Sequence, residues 1–221
     1  MSELKKKMLL YLVTDRAWSG EEELARQVEK AVKSGVTIVQ IREKNLSFED
    51  FVTEAVKVKK VTDKYGIPLI INDKIDVAAA VDAGGVHLGQ KDEDIKMARK
   101  LLGPGKIIGL SAHNVFEAVN AQKSGADYIG AGAVFGSSTK TDAGPLACET
   151  LKNICNAVTV PVVAIGGITR HNICKLSGSG ISGVAVISGI LGSSDISKAA
   201  KELHDLAKKV TCPVTLVEER I

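Results

Sequence analysis

Short apolar runs alternate with stretches of helical period along the whole chain. Residues 8–14 read as a strand. Residues 21–34 then place Leu24, Val28, Ala31 and Val32 on one helical face, and Gly35 ends that helix. Residues 37–42 form a second strand, after which Ser47-Phe48-Glu49-Asp50 opens a helix with a capping-box-like pattern and a buried stripe of Phe48, Val52 and Ala55. The same alternation continues as strand 68–72 and helix 75–83, strand 85–88 and helix 94–102, then strand 106–111 and helix 115–124. The remaining pairs are 127–132 with 146–157, 161–165 with 170–176, and 183–187 with 196–209, whose inward residues are Ile196, Ala200, Leu203 and Ala207. The period therefore predicts eight strand-then-helix units over 221 residues, each about 28 residues long, near the size of a βαβ step. No linker divides them, so the expected fold is α/β: a single-domain (β/α)8 TIM barrel over residues 1–221, with a tail at 210–221 outside every unit. A doubly wound open sheet is the alternative, disfavoured by eight regular units.

Composition sharpens this picture. Hydrophobic residues make up 45% of the chain and aromatics only 4%, so small and β-branched residues must fill the core, which suits buried parallel strands. That apolar fraction excludes a disordered chain. The net charge of +3 is too close to neutral for a protein built to coat nucleic acid or an anionic membrane, and neither partner is expected. Lys5-Lys6-Lys7 precedes an apolar run, but Thr14 and Asp15 end it too soon for a signal peptide, and no stretch approaches the roughly 20 apolar residues of a membrane span. Cys148, Cys155, Cys174 and Cys212 lack zinc-like spacing. Cys148 and Cys155 stand seven apart in a helical pattern and are expected to face inward as reduced thiols, which points to a cytoplasmic protein. A homo-oligomer is possible, and nothing in the sequence fixes the quaternary structure.

In such a barrel the active site lies at the C-terminal ends of the strands, and polar residues collect there. Strand two ends in Gln40-Ile41-Arg42-Glu43-Lys44, whose alternation sends Gln40, Arg42 and Lys44 toward the mouth. Such a set suits an anion, or else a solvated strand end. Asn72-Asp73 ends strand three, and strand four runs through His87 to Asp92. Asp73 and Asp92 could hold Mg²⁺, which takes one or two carboxylates together with phosphate oxygens, or could cap the helices that follow. His87 reads as a satisfied barrel histidine before a catalyst or metal ligand. Ser111 ends strand five, and Gly136-Ser137-Ser138-Thr139-Lys140-Thr141 supplies hydroxyls and a mobile cation to the longest loop. Gly166-Gly167 follows strand seven and Ser188-Gly189 follows strand eight, the recurrent phosphate position of this fold. Two anion sites result. One, after strands seven and eight, suits a phosphomonoester; the other, around Arg42, Lys44, Asn72, Asp73, Asp92 and Lys140, suits a diphosphate with a metal. Displacement of pyrophosphate between two small phosphorylated molecules follows, with no need for a nucleophilic triad.

These residues resemble a known family. Tyr11-Leu12-Val13-Thr14-Asp15, Val39 to Lys44, Ile71-Asn72-Asp73, Gly85 to Asp92, Ala126 to Gly130, Ser138-Thr139-Lys140, Ala164 to Ile168 and Gly183 to Ser188 are similar, in order, to thiamine phosphate synthase. The resemblance implies coupling of 4-amino-2-methyl-5-(diphosphooxymethyl)pyrimidine to 4-methyl-5-(2-phosphoethyl)thiazole, giving thiamine phosphate and pyrophosphate by a dissociative, Mg²⁺-assisted route. It assigns Gln40, Ile41, Arg42, Glu43, Lys44, Asn72, Ser111 and Lys140 to the pyrimidine diphosphate. It assigns Ser137, Ser138, Thr139, Gly167, Ile187 and Ser188 to the thiazole phosphate, and Asp73 and Asp92 to one Mg²⁺ per subunit. Lys140, Arg42 and Ser111 form the implied catalytic set. The family often reads Phe-Pro-Thr where this chain has Phe135-Gly136-Ser137, which keeps a hydroxyl but loosens the loop. A thiazole phosphate tautomerase on the same barrel and a non-catalytic thiamine-phosphate-binding regulator are the alternatives.

Overall fold

The computed structural model describes residues 3–18, 22–90, 95–136 and 146–212. Its strands are β1 (Leu10–Val13), β2 (Ile38–Ile41), β3 (Leu69–Asn72), β4 (Gly85–Leu88), β5 (Ile107–Ala112), β6 (Tyr128–Gly132), β7 (Val162–Ile165) and β8 (Gly183–Val186). Each lies parallel to its neighbour in sequence, and β8 returns to β1, so the sheet is a closed barrel of eight strands. This is the expected (β/α)8 architecture. Helices follow on the outside: α2 (Leu24–Lys33), α3 (Phe48–Lys64), α4 (Ile75–Ala80), α5 (Ile95–Leu102), α6 (Val115–Lys123), α7 (Cys148–Ala157) and, after β8, α8 (Ser188–Leu191) and α9 (Ile196–Thr211). Before β1 stands α1 (Glu3–Lys7), which the sequence pattern left unassigned. No helix of the described residues is long and apolar enough to cross a membrane.

Because side chains alternate along each strand, the barrel has two cores. Leu10, Leu12, Val39, Ile41, Leu69, Ile71, Val86 and Ile108 point outward and pack beneath the helices. Met8, Tyr11, Val13, Ile38, Ile70, Tyr128, Val163 and Ala185 fill the lumen, and Leu4 of α1 packs against them. The segment before the first strand thus contributes an apolar residue to the lumen core, despite its three lysines. A lumen with this much Val, Ile and Ala needs few aromatic rings, as the composition required.

Local signals place most helices. Ser47 caps α3: its Oγ accepts the Asp50 N–H at 3.1 Å and donates to the Asp50 carboxylate at 2.9 Å. Leu24, Val28, Ala31 and Val32 are buried on α2, and Ile196, Ala200, Leu203 and Ala207 on α9. Four expectations need correction. Phe48 is 44% exposed, and the buried stripe of α3 runs instead through Phe51, Ala55, Val58 and Thr62. Phe48 sits in the first turn, directly after the cap. Cys148 is likewise the first residue of α7 and is exposed, while Leu151 and Ile154 are buried. Cys155 is half-buried, and burial pushes its thiol up to about 12. Residues 170–176 do not form an α-helix; only a 3₁₀ turn, Ile173–Leu176, fits before the left-handed Gly178 and Gly180. Finally, α9 extends through Thr211 with Val210 buried, so residues 210 and 211 belong to the barrel's last helix.

The corrected face of α3 has a measurable consequence. Phe51→Ala should destabilise the protein by about 3–5 kcal/mol because it empties a buried site. Phe48→Ala should stay within about 0.5 kcal/mol of the parent. Urea unfolding of the two variants distinguishes them; equal losses would restore Phe48 to the core.

Candidate active site

The lumen opens at the C-terminal ends of the strands into one cavity. From the sequence-derived set, Gln40, Arg42, Asn72 and Ser111 line it, and Gly167, Ile187 and Ser188 line it as well. Residues from both predicted anion positions therefore line one cavity, although Asp73 is not among its lining residues. Ile41 and Glu43 do not line it. Ile41 points outward into the helix-facing core. Glu43 is buried, and one carboxylate oxygen accepts from Arg16 Nε at 2.7 Å while Oε1 has no hydrogen-bond partner. The Arg16 pKa is raised by its hydrogen bond to Glu43. Lys44 is exposed, in contrast to the expected alternation with Gln40 and Arg42; β2 ends at Ile41, and the alternation still holds at Arg42 but is lost by Lys44. Asp92, Ser137, Ser138, Thr139 and Lys140 lie outside the described residues.

Arg42 stays aligned because its backbone is still tied to the barrel: its N–H donates to Thr14 Oγ1 at 3.1 Å. Its guanidinium pairs with the Asp15 carboxylate, and the two side chains are 8% and 13% exposed. Asp15 also accepts the Ala17 N–H at 2.9 Å, which fixes the carboxylate from its other side. Sequence reasoning assigned Asp15 no role. Its signal was its place directly after a strand, at the mouth end of β1.

Asp73 follows Asn72 at the end of β3 with a left-handed backbone, φ 63°, a conformation that aspartate tolerates better than most residues. Its N–H donates to the His87 carbonyl at 2.9 Å. It does not cap α4, whose cap position is Lys74. Its carboxylate is a hard oxygen donor just past the mouth end of β3, the chemistry Mg²⁺ prefers. Among the described residues no three acidic, histidine or cysteine side chains converge, so an ion here would draw further ligands from Asp92, water or substrate oxygens.

Across the cavity the backbone itself is the ligand-facing surface. Gly166 and Gly167 have φ of 108° and 61°, and a Cβ on Gly167 would come within 2.7 Å of the Gly136 carbonyl oxygen. A side chain fits neither position. Ser188 begins the single-turn helix α8, whose first amides have no intrahelical acceptor. Deeper in the cavity stand Tyr11, Tyr128 and His87, none of which the sequence pattern had assigned to the site.

A closed eight-stranded parallel barrel with a polar, partly cationic mouth and a glycine-lined rim is of the class that binds phosphorylated small molecules. The sequence profile described as thiamine monophosphate synthase matches residues 10–190, and this chain belongs to that family. It is 51% identical over 200 residues to the thiamine-phosphate synthase of Clostridium acetobutylicum, covering 90% of this chain and 95% of that protein. It is 48% identical over 201 residues to thiamine-phosphate synthase 2 of Streptococcus pneumoniae strain TIGR4, covering 89% and 96%. The structure of thiamine phosphate pyrophosphorylase from Pyrococcus furiosus superposes with a TM-score of 0.87 at 38% identity, covering 95% of this chain and 100% of that one.

The buried pair makes a direct prediction. Asp15→Ala leaves the Arg42 guanidinium without its carboxylate and should cost on the order of 3 kcal/mol. Adding Arg42→Met should recover much of that loss. A double-mutant cycle by urea unfolding measures it, and additive losses would mean the pair does not couple.

Proposed function

We propose that this chain is a thiamine phosphate synthase that joins the aminopyrimidine methyl diphosphate to the thiazole phosphate and releases pyrophosphate. The observation that carries the reading is the meeting of Gln40, Arg42, Asn72 and Ser111 with Gly167, Ile187 and Ser188 around one cavity. Two phosphorylated molecules held in one cavity are brought within reacting distance, which is where most of the rate would come from.

In this reading Arg42 binds the diphosphate and Asp15 orients it. Lys44 at the rim and Lys140 add positive charge on the side where the leaving group forms. Asp73 and Asp92 would hold one Mg²⁺, which when bound supplies further neutralisation of the departing charge. The C–O bond breaks first and its electron pair leaves with pyrophosphate; the thiazole nitrogen lone pair then forms the C–N bond to the pyrimidine methylene. Gly167, Ile187 and Ser188, with Ser137, Ser138 and Thr139, would hold the thiazole phosphate so that its nitrogen faces that carbon. A cytoplasmic site of action accords with the four cysteines being free thiols. A thiazole phosphate tautomerase would need only the glycine-lined side and leaves Arg42, Asp15 and Asp73 without a task.

Purified protein given both substrates should release pyrophosphate with Mg²⁺ and lose that activity on chelation. Asp73→Ala and Lys140→Ala should each lower kcat by at least about 100-fold with an unchanged circular dichroism spectrum. Full activity in either variant removes that residue from the mechanism. Formation of an isomerised thiazole phosphate without pyrophosphate would favour the tautomerase.

A further inference from the structure

A chain of five side chains crosses the lumen, and all five line the cavity. Gln40 Nε2 donates to the Tyr11 hydroxyl at 2.8 Å, and the Tyr11 and Tyr128 hydroxyls are 2.8 Å apart. The Tyr128 hydroxyl lies 2.8 Å from His87 Nδ1, and His87 Nε2 lies 3.0 Å from Ser111 Oγ. Five strands contribute one member each. The lumen is cleared for them: a Cβ on Gly109 would come within 2.2 Å of the Tyr128 ring, and one on Gly130 within 3.0 Å of the His87 ring. Both tyrosines are 1% exposed, and burial raises both phenol pKa values, so each hydroxyl keeps one proton to donate.

Proton counting gives the chain a direction. Tyr11 accepts from Gln40, so its own proton goes to Tyr128. Tyr128 accepts that bond and gives its proton to His87 Nδ1. A neutral imidazole accepting at Nδ1 carries its proton on Nε2 and donates it to Ser111 Oγ. The Ser111 proton is then left for the cavity, and Gln40 keeps its Oε1, a pure acceptor, for the same cavity. If the Gln40 amide turned over, every link would have to reverse; Gln40 would offer N–H groups and Ser111 only lone pairs. With a neutral His87, an arrangement that reverses only part of the chain leaves two protons or none between one pair of neighbours, and a buried polar group left unpaired in this way costs about 1–3 kcal/mol. The two ends are therefore coupled through His87, although no side chain joins them directly.

We infer that His87 is a positioning residue which, through Tyr128 and Tyr11, holds Gln40 as an acceptor and Ser111 as a donor, so that the cavity selects an amino-substituted heteroaromatic ring over its oxo counterpart. The amino ring offers N–H to the Gln40 carbonyl and a ring-nitrogen lone pair to the Ser111 hydroxyl. An oxo ring, with its carbonyl and ring N–H, fits only the reversed chain. The aminopyrimidine as the selected ring rests on the reading under Proposed function; the direction of the chain does not.

Two measurements test this separately. Two-bond ¹H–¹⁵N spectra of histidine-labelled, substrate-free protein, with His87 assigned by its loss in His87→Gln, should show the proton on Nε2; a proton on Nδ1 would overturn the direction. Calorimetry should then compare 4-amino-2-methyl-5-hydroxymethylpyrimidine with its 4-oxo analogue. The parent should prefer the amino ring by at least about tenfold, and Tyr128→Phe, which cuts the chain in its middle, should bring the ratio near one. Tyr11→Phe serves the same purpose should Tyr128→Phe not fold. In turnover, the cut should raise KM for the pyrimidine diphosphate and leave KM for the thiazole phosphate unchanged. An unaltered amino-to-oxo ratio in a folded variant would sink the inference. Absence of pyrophosphate release by the parent would sink the synthase reading alone, since the spectra and the calorimetry need no turnover.

Discussion

In a closed parallel barrel every strand position faces either the lumen or the helices, and a slip of one residue would exchange the two sets. The site follows from that parity. Along the second strand and one residue past its end the lumen positions are Ile38, Gln40 and Arg42: an alkyl group, an amide and a guanidinium in successive steps toward the mouth. The third strand repeats the gradient with Ile70 and Asn72, and the fifth with Ile107, Gly109 and Ser111. The lumen is dry at its floor and increasingly polar upward. A polar group in its middle is almost wholly withdrawn from solvent, as both tyrosines are at 1% exposure, and needs a protein partner. The Tyr11–Tyr128 hydrogen bond at 2.8 Å answers that requirement, and Gln40, His87 and Ser111 are linked to it by further hydrogen bonds.

Room is the second constraint. A barrel of this size has a lumen just wide enough to be filled by its side chains. Two aromatic rings and an imidazole fit at one level only because neighbouring strands carry glycine there. Gly109 stands opposite His87 in the β4–β5 register and lies against the Tyr128 ring, and Gly130 stands opposite Ser111 and lies against His87. These glycines are needed for the missing side chain. Gly166 and Gly167, with φ of 108° and 61°, are needed for backbone shape as well.

Much of this was legible in the chain. Strand period, helix period and the Ser47 cap placed the elements, and the fourth strand matched residue for residue at Gly85–Leu88. What failed did so at ends of elements. Phe48 and Cys148 obey the helical period but occupy first positions, where period does not imply contact. Lys44 obeys the strand period but stands beyond the strand. Within the site, Gln40 and Arg42 could be read because the alternation of β2 holds for one residue past its end. The Tyr11–Tyr128 bond spans 117 positions, and no local pattern announces it. Asp15 and Arg42 are 27 apart and meet only because β1 and β2 pair in that register.

The Arg42–Asp15 pair also changes what the overall charge of +3 can mean. A buried guanidinium already matched by a carboxylate contributes direction to an anion site but little net attraction. Its hydrogen-bond fork can fix where a phosphate oxygen sits. The attraction that draws a diphosphate to the mouth must then come from charges not paired in this way. Lys44, exposed beyond β2, is one such source among the described residues, and a divalent cation, where the proposed reaction uses one, would be a larger one. Under the proposed function a bound metal would therefore matter more, not less, because Arg42 is already matched by Asp15.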